Sequence, residues 1–182
     1  MPGAVIARAA GSVEVRALRF ARGAQVPNND RYPAVLAKDA LGGANDDRAV
    51  RRLLEANGWD ATWTWQVYDY HHFHPDAFEA LAVASGSATL MLGGPQGEEV
   101  EFTAGDAAIL PPGFGHRQIA ASPNFRVCGA YPPGQEDYTI IRADGPVSDE
   151  VLEAIARVPT PRSDPVWGAA GPLLAALLSG KG

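Results

Sequence analysis

The clearest chemistry in this chain lies in its histidines, because three of the four fall in a pattern that suits one metal ion. His72 and His74 are two positions apart, so in an extended strand their side chains point to the same face. Glu79 follows a turn at Pro75 and opens the next strand, where a hairpin neighbour can place a carboxylate at the same ion. His116 follows a turn rich in Pro and Gly that would return a distant strand to the first. These two strand pairs predict one mononuclear metal site.

The residue types restrict the metal. Three imidazoles and one carboxylate suit a divalent transition metal, for which we take Fe(II) as first choice and Ni(II), Mn(II), Zn(II) and Co(II) as alternatives. The pattern holds no thiolate, which excludes a structural zinc cluster. On a six-coordinate ion, four protein ligands would leave two positions open for substrate, dioxygen or water. The alternatives are that the histidines are ordinary interior residues with hydrogen-bond partners, or that a metal only holds strands together.

Strand alternation also predicts residues for the cavity beside the ion. If the strand that carries His72 is unbroken, Tyr68 and Tyr70 lie on its metal-facing side and could hydrogen-bond a substrate. Gln118 has the same parity as His116 and could orient a ligand or line the pocket. These three residues are the candidate catalytic or supporting groups. The equally open alternative is that they fill the interior with their polar groups satisfied elsewhere.

Other residues near the histidine pattern are expected to have structural roles in packing or at the surface. On the same alternation Trp63 and Trp65 face a second layer and pack the sheet, with a subunit interface as the secondary interpretation. Arg117 and Arg126 are expected at the surface, the alternative being that one of them anchors a substrate carboxylate. Cys128 is expected to be a small buried residue.

The elements that must position these residues are mostly short strands. From 61 to 143, short apolar or alternating runs are separated by Gly and Pro, which is typical of a β sandwich or barrel. The predicted strands are 13–20, 62–74, 78–83, 89–92, 100–102, 107–110, 116–120, 126–131 and 138–142. Helices are predicted over 49–56 after a cap at Asp46 or Asp47, from the cap Ser148 to 157, and over 172–178.

Composition indicates one domain over residues 1–182, with a barrel core at about 61–143. An N-terminal arm, 1–60, and a helical, Pro-rich C-terminal arm, 144–182, would pack around it. The chain has 46% apolar and 20% charged residues, a net charge of −6 and a pI near 5.1, without a basic block. This charge argues against nucleic acid or an anionic membrane as partner and favours a small molecule. With one cysteine and no signal-peptide or membrane-spanning pattern, a cytoplasmic location is expected.

The histidine pattern resembles the two motifs of the cupins. They are Gln66-(x)5-His72-x-His74-(x)4-Glu79-(x)6-Gly86 and Gly105-(x)5-Pro111-x-Gly113-(x)2-His116-(x)3-Ala120. Gln66 stands where the family usually has Gly, and Ala120 where it often has Asn; both lie outside the ligand set. Residues 27–29, 69–74, 129–135 and 164–168 look similar to segments of a subgroup of bacterial single-domain cupins that has no settled activity.

The resemblance implies an all-β fold, the cupin jelly-roll barrel or double-stranded β-helix, with a few peripheral helices. It implies that His72, His74, Glu79 and His116 bind the metal inside the barrel, and it makes a homodimer the default. The family includes dioxygenases, decarboxylases, isomerases, metal-free epimerases, sugar sensors and seed storage proteins, so the fold alone selects no reaction.

Our first hypothesis is therefore a metal-dependent oxidoreductase of the dioxygenase type that acts on a small organic molecule. The alternatives are a metal-dependent isomerase or decarboxylase, and a non-catalytic module that binds a small ligand or the metal itself. Space beside the ion would favour chemistry. A cavity filled by Tyr68, Tyr70 or the Pro-rich arm would favour binding or a structural role.

Overall fold

Thirteen strands and three helices make up the described part of the chain. The computed structural model describes residues 4–43 and 45–180. The strands are β1 (Ile6–Ala7), β2 (Val15–Leu18), β3 (Ala34–Ala37), β4 (Leu41–Gly42), β5 (Asp60–Trp65), β6 (His72–Phe73), β7 (Glu79–Ser85), β8 (Ser87–Leu92), β9 (Glu98–Thr103), β10 (Ala107–Leu110), β11 (His116–Ala121), β12 (Arg126–Tyr131) and β13 (Ile141–Arg142). The helices are α1 (Asp47–Ala56), α2 (Asp149–Arg157) and α3 (Pro172–Ser179).

The strands form two antiparallel sheets that share one apolar core. The larger sheet has the order β2-β3-β10-β7-β12-β5, the smaller one has the order β13-β6-β11-β8-β9, and β1 pairs only with β4. Leu36 and Leu81 of the larger sheet belong to the same buried cluster as Leu90 and Phe102 of the smaller sheet. The predicted all-β jelly-roll fold with peripheral helices is confirmed.

A second apolar cluster lies on the outer face of the larger sheet. Alternation along β7 places Ala80, Ala82 and Ala84 in this cluster, together with Val50 and Leu54 of α1. The small alanine side chains leave room for Val50 and Leu54 between the helix and the strand. Alternate residues of the same strand face the other sheet. The strand that carries Glu79 is therefore packed from both sides and held rigidly.

Two helices begin after the predicted caps, Asp46 and Ser148, because these caps are local features; α1 begins two residues before the predicted start at 49. The Asp46 carboxylate accepts hydrogen bonds from the backbone N–H groups of Arg48 and Ala49, and the Ser148 hydroxyl accepts one from Val151. Each bond satisfies a helix N–H that has no partner within the helix. Within residues 4–43 and 45–180, none of the helices has the length and hydrophobicity of a membrane span.

The main difference from the sequence prediction is in the stretch 62–74, which was expected to be one strand. It consists of β5 in the larger sheet and β6 in the smaller sheet, and residues 66–71 between them are not extended strand. The chain leaves one sheet and enters the other here, so alternation does not carry across the break. The predicted strand 138–142 is likewise reduced to Ile141–Arg142.

Candidate metal centre

The histidines and the glutamate meet between the two sheets. β6 pairs with β11 in the register that places His72 opposite His116, and His74 follows directly after β6. Glu79 begins β7 in the other sheet, so residues 75–78 cross between sheets and are not the predicted hairpin. All four side chains are buried. The fold thus brings together the four residues that the sequence singled out.

Each of the three imidazoles is oriented by a backbone carbonyl. The Nδ1 atoms contact the carbonyl oxygens of neighbouring loops: His72 with Tyr70 at 3.1 Å, His74 with Thr139 at 2.8 Å and His116 with Phe114 at 3.0 Å. Because a carbonyl oxygen can only accept, Nδ1 carries the proton and donates it, which leaves Nε2 to provide a lone pair. The potential ligand atoms of the three rings lie within 4.8 Å of one another. Such carbonyl contacts fix the ring orientation that a metal ligand needs.

The carboxylate of Glu79 completes the donor set. Its Oε2 lies 3.3 Å from Nε2 of His74 and 3.1 Å from Nε2 of His116. This oxygen is buried and lacks a hydrogen-bond donor among the described residues. A buried carboxylate oxygen facing imidazole lone pairs is costly unless a cation or a proton lies between them. Three imidazole nitrogens and this oxygen therefore fit a divalent transition metal.

The electrostatics of the site favour a cation as well. Burial, with a contribution from His116, lowers the pKa of His72 to about 3, so this imidazole is neutral. Burial also lowers the pKa of His74, but the Glu79 carboxylate outweighs it and the net pKa is raised. Burial would raise the pKa of Glu79, yet His74 and His116, when a proton on Nε2 faces the carboxylate, hold it well below its usual range. A metal ion in the place of that proton would act in the same direction. Glu79 is thus ionised and supplies a full negative charge.

A cavity of about 220 Å³ opens beside these four residues. Aromatic and aliphatic side chains form most of its wall: Trp63, Trp65, Gln66, Val67, Tyr68, Leu81, Tyr131, Tyr138 and Ile140, together with His72, His74, Glu79 and His116. Of the three predicted catalytic candidates, Tyr68 lines the cavity. Tyr70 and Gln118 lie behind its wall.

Tyr70 and Gln118 have supporting positions. The break at residues 66–71 removes Tyr70 from the predicted alternation, whereas Gln118 lies in β11 with His116 and is engaged by Gln66 and Val67. Tyr70 stacks on Tyr68 with ring centroids 4.9 Å apart. The Gln118 amide donates to Oε1 of Gln66 at 3.1 Å and accepts from the backbone N–H of Val67 at 3.3 Å. Both residues thus hold side chains or backbone that do reach the cavity.

The two tryptophans were predicted to face a second layer and to pack the sheet. Trp63 does pack against the inter-sheet core, but both residues lie on the same side as the candidate ligands. Trp63 and Trp65 both line the cavity, since the chain turns out of the sheet directly after them. Trp63 lies flat over Gly129, where a Cβ atom would come within 2.1 Å of the indole. Arg117 and Arg126 are not part of the described cavity wall, so neither is placed to anchor a carboxylate there.

Tyr131 is a functional candidate that the sequence interpretation missed. Its hydroxyl donates to Oε1 of Glu79 at 2.9 Å and accepts from Nε1 of Trp63 at 3.1 Å. Burial, with Glu79 adding to it, raises the pKa of Tyr131, so the phenol keeps its proton and remains a donor. The pair of Trp63 and Tyr131 therefore positions the carboxylate. The one local sign of this arrangement is Gly129, which provides the space for the indole.

Two asparagines of the stretch 27–29, to which the sequence analysis gave no role in the site, also support it. Asn28 accepts a hydrogen bond from the backbone N–H of Gly115 at 3.1 Å, and Asn29 donates to the carbonyl of Pro112 at 2.9 Å. Both side chains are buried. Their hydrogen bonds hold in place the turn that immediately precedes His116.

Replacing Tyr131 by Phe is expected to weaken metal binding by about 10- to 100-fold, because Oε1 of Glu79 loses the donor that orients it. Titration of the metal-free protein with Mn(II) or Co(II), followed by calorimetry, measures the change. Tyr68→Phe is the matched control, since it removes a hydroxyl from the same cavity wall without touching Glu79. Equal weakening in the two variants would contradict the positioning role of Tyr131.

The chain is similar to known proteins over part or most of its length. Residues 64–126 match the family model described as a cupin domain. The uncharacterized protein YjlB of Bacillus subtilis (strain 168) is 32% identical over 161 residues, which cover 88% of this chain and 95% of that protein.

Two solved structures are similar at lower identity. An uncharacterized conserved protein with a double-stranded beta-helix domain from Klebsiella pneumoniae is 19% identical, with a TM-score of 0.37 over 70% of this chain and 85% of that chain. Acireductone dioxygenase from Bacillus anthracis is 17% identical, with a TM-score of 0.35 over 49% of this chain and 60% of that chain.

Proposed function

The chain belongs to the cupin family, and from this premise we propose that it is a metal-dependent oxidoreductase of the dioxygenase type acting on a small organic molecule. His72, His74, Glu79 and His116 would hold the divalent metal, with Fe(II) as first choice. The observation that carries the proposal is the convergence of three oriented imidazoles on a buried carboxylate oxygen that lacks a hydrogen-bond donor among the described residues.

A divalent metal held here would supply Lewis acidity and, in the case of iron, electron transfer with dioxygen. The chain's own residues prepare the site for such chemistry. The backbone carbonyls fix the imidazoles, and Tyr131 fixes the carboxylate, so little reorganisation is needed when a ligand arrives. Val67, Leu81 and the aromatic wall limit the access of water.

The space beside the site supports a role in binding and converting a small molecule over a purely structural one. The cavity of about 220 Å³ is not filled by the ring of Tyr68, and the Pro-rich stretch 158–168 does not contribute to its described wall. A metal that only held strands together would need no such space.

We extend the proposal to the setting of the protein, a cytoplasmic homodimer with a small-molecule substrate and no nucleic acid or membrane partner. The net charge of −6 without a basic block supports the choice of partner.

Metal analysis tests the proposal. Protein purified without a histidine tag or chelator is expected to contain near-stoichiometric iron by elemental mass spectrometry, and the Glu79→Ala/His116→Ala variant is expected to contain almost none. The Fe(II) protein should then consume dioxygen with a subset of a panel of small organic molecules. Nickel, zinc or manganese in place of iron would favour an isomerase or decarboxylase. Failure to bind any metal, even after reconstitution, would overturn the proposal.

A further inference from the structure

We infer that the cavity takes a flat ligand, an aromatic or conjugated ring that carries a compact chelating head of no more than one negative charge. Small dianionic acids would be disfavoured. This inference names the substrate class of the proposed metal site and so rests on the proposed function. Three features of the described residues carry it: the aromatic walls, the charge of the site and the apolar mouth.

The first feature is a pair of aromatic walls that flank the histidines. On one side Tyr68 meets the ring of His72 edge-on at 5.2 Å, and Trp65 meets Tyr68 edge-on at 5.3 Å. On the other side Tyr138 meets His74 edge-on at 5.1 Å. Exposed ring faces and edges of this kind favour other rings in offset or edge-to-face contact. A flat ligand bound at the histidines would contact both walls.

The second feature is the charge of the site. The described cavity wall contains Glu79 and neither lysine nor arginine. A divalent ion with one carboxylate leaves one net positive charge, which a singly charged chelating head neutralises. A dianion would leave a buried negative charge without a counter-cation, which is costly in an apolar cavity.

Arg142, which lies opposite His72 across β13 and β6, is screened from the cavity by aromatic rings. The guanidinium of Arg142 packs on the ring of Tyr70 at 4.4 Å, and Tyr70 stacks on Tyr68. The Arg142 side chain is largely exposed and its Nε lies 3.8 Å from the carboxylate of Asp144. It is therefore not placed to neutralise a second charge on a bound ligand.

The third feature is the mouth of the cavity, which is apolar. Trp65 and Ile140 line the cavity and are nevertheless 54% and 42% exposed. Exposed large apolar groups at the opening of a cavity favour an apolar ligand body that extends past them. Gln66 offers one polar group to a bound ligand. Its Oε1 accepts the hydrogen bond from Gln118, so its amide N–H groups are left to donate to the ligand.

A pair of matched chelators tests the inference on Co(II)-loaded protein, whose visible spectrum reports ligand binding. Benzohydroxamate and acetohydroxamate carry the same chelating head and differ in the aromatic ring, while oxalate is a small dianion. After correction for the affinity of each for free Co(II), benzohydroxamate is expected to bind about tenfold more tightly than acetohydroxamate. Oxalate is expected to bind most weakly of the three.

Variants of the aromatic wall test whether it causes the preference for benzohydroxamate over acetohydroxamate. Tyr68→Ala and Trp65→Ala are each expected to reduce benzohydroxamate binding by about three- to tenfold and to leave acetohydroxamate within about twofold. Leu178→Ala on α3 is the control, because Leu178 is a partly exposed apolar residue that does not line the cavity. Equal binding of the two hydroxamates, or tightest binding of oxalate, would overturn the inference alone. Failure of the protein to load Co(II), Fe(II) or any other divalent metal would overturn the proposed function itself.

Discussion

Replacement of His116 by Ala is expected to lower metal affinity by more than about 100-fold and to leave the purified protein nearly free of metal. Even groups that only support a metal ligand change affinity by about 10- to 100-fold, and loss of the ligand itself should cost more. His116 lies opposite His72 across β6 and β11, and its Nε2 is 3.1 Å from Oε2 of Glu79. Removing it would leave Oε2 beside His74 alone. His74→Ala should have the same effect, and elemental mass spectrometry with calorimetric titration measures both.

His71→Ala is the matched control for these variants. His71 is adjacent in sequence to His72, but it belongs neither to the three-histidine cluster nor to the described cavity wall. His71 is half-buried, and its removal is expected to change metal affinity by less than about threefold because it lies outside the candidate ligand set. An equal loss in all three variants would refute the assignment of the ligands. Circular dichroism and thermal unfolding would show that each variant is folded before its metal content is compared.

The sequence alone indicated the four candidate ligands, and for His72 and His74 the reason is local geometry. Glu79 and His116 were indicated by the turns that precede them and by the motif resemblance. His72 and His74 share a face at a spacing of two even though β6 contains only two residues. The helices were predictable for the same reason, since Asp46 and Ser148 bond to N–H groups two or three residues away. The jelly roll followed from the resemblance that these motifs carry. Local geometry could not tell that Glu79 lies in the other sheet.

The wall of the cavity was less predictable because tertiary contacts decide it. The sequence from Trp63 to His72 predicts the same alternation of side chains whether the strand is continuous or passes from one sheet to the other. The hydrogen bonds that join Tyr131 to Glu79 and to Trp63 span 52 and 68 positions. No pattern within a window of the sequence contains such pairs. The predicted inward alternation of Tyr68 and Tyr70 therefore located one cavity residue and one residue behind it.

Strand β3 was missed for a different physical reason. Ala34–Ala37 is a continuous apolar run of four residues, all buried, between the inter-sheet core and the helices. A strand that is buried on both faces shows no alternation between polar and apolar residues. The run was therefore indistinguishable from a piece of buried loop after the turn-rich stretch 23–33.

Asn28→Ala is expected to lower the free energy of unfolding by about 3–5 kcal/mol, because several buried polar groups lose their partners at once. The Asn28 amide donates to the carbonyls of Ala21 and Gly93, each at 3.0 Å, and accepts from the N–H of Gly115 at 3.1 Å. Asn28 also has a φ of 51°, a left-handed conformation that asparagine tolerates better than alanine. For a chain of this length the loss corresponds to a fall in Tm of roughly 6–20 °C. Urea denaturation and calorimetry measure it.

Two further variants separate the causes. Asn28→Gly loses the same hydrogen bonds but permits the left-handed backbone, so it should be less destabilised than Asn28→Ala by about 1 kcal/mol. Asn124→Ala, at an exposed asparagine whose side chain accepts one exposed hydrogen bond from Ser122, should change stability by less than about 1 kcal/mol. If Asn28→Ala is as stable as Asn124→Ala, the three hydrogen bonds contribute nothing and the prediction is wrong.

Asn28→Ala is also expected to affect metal binding, because Asn28 holds the turn before His116. Gly115 immediately precedes His116, and the carbonyl of Phe114 accepts the Nδ1 proton that orients the His116 ring. Loss of Asn28 frees this turn, so the folded variant is expected to bind metal about tenfold more weakly at a temperature well below its Tm. Lower stability with unchanged metal affinity would mean that the loop supports the fold without positioning His116. A decrease in both would show that Asn28 determines where the third imidazole lies.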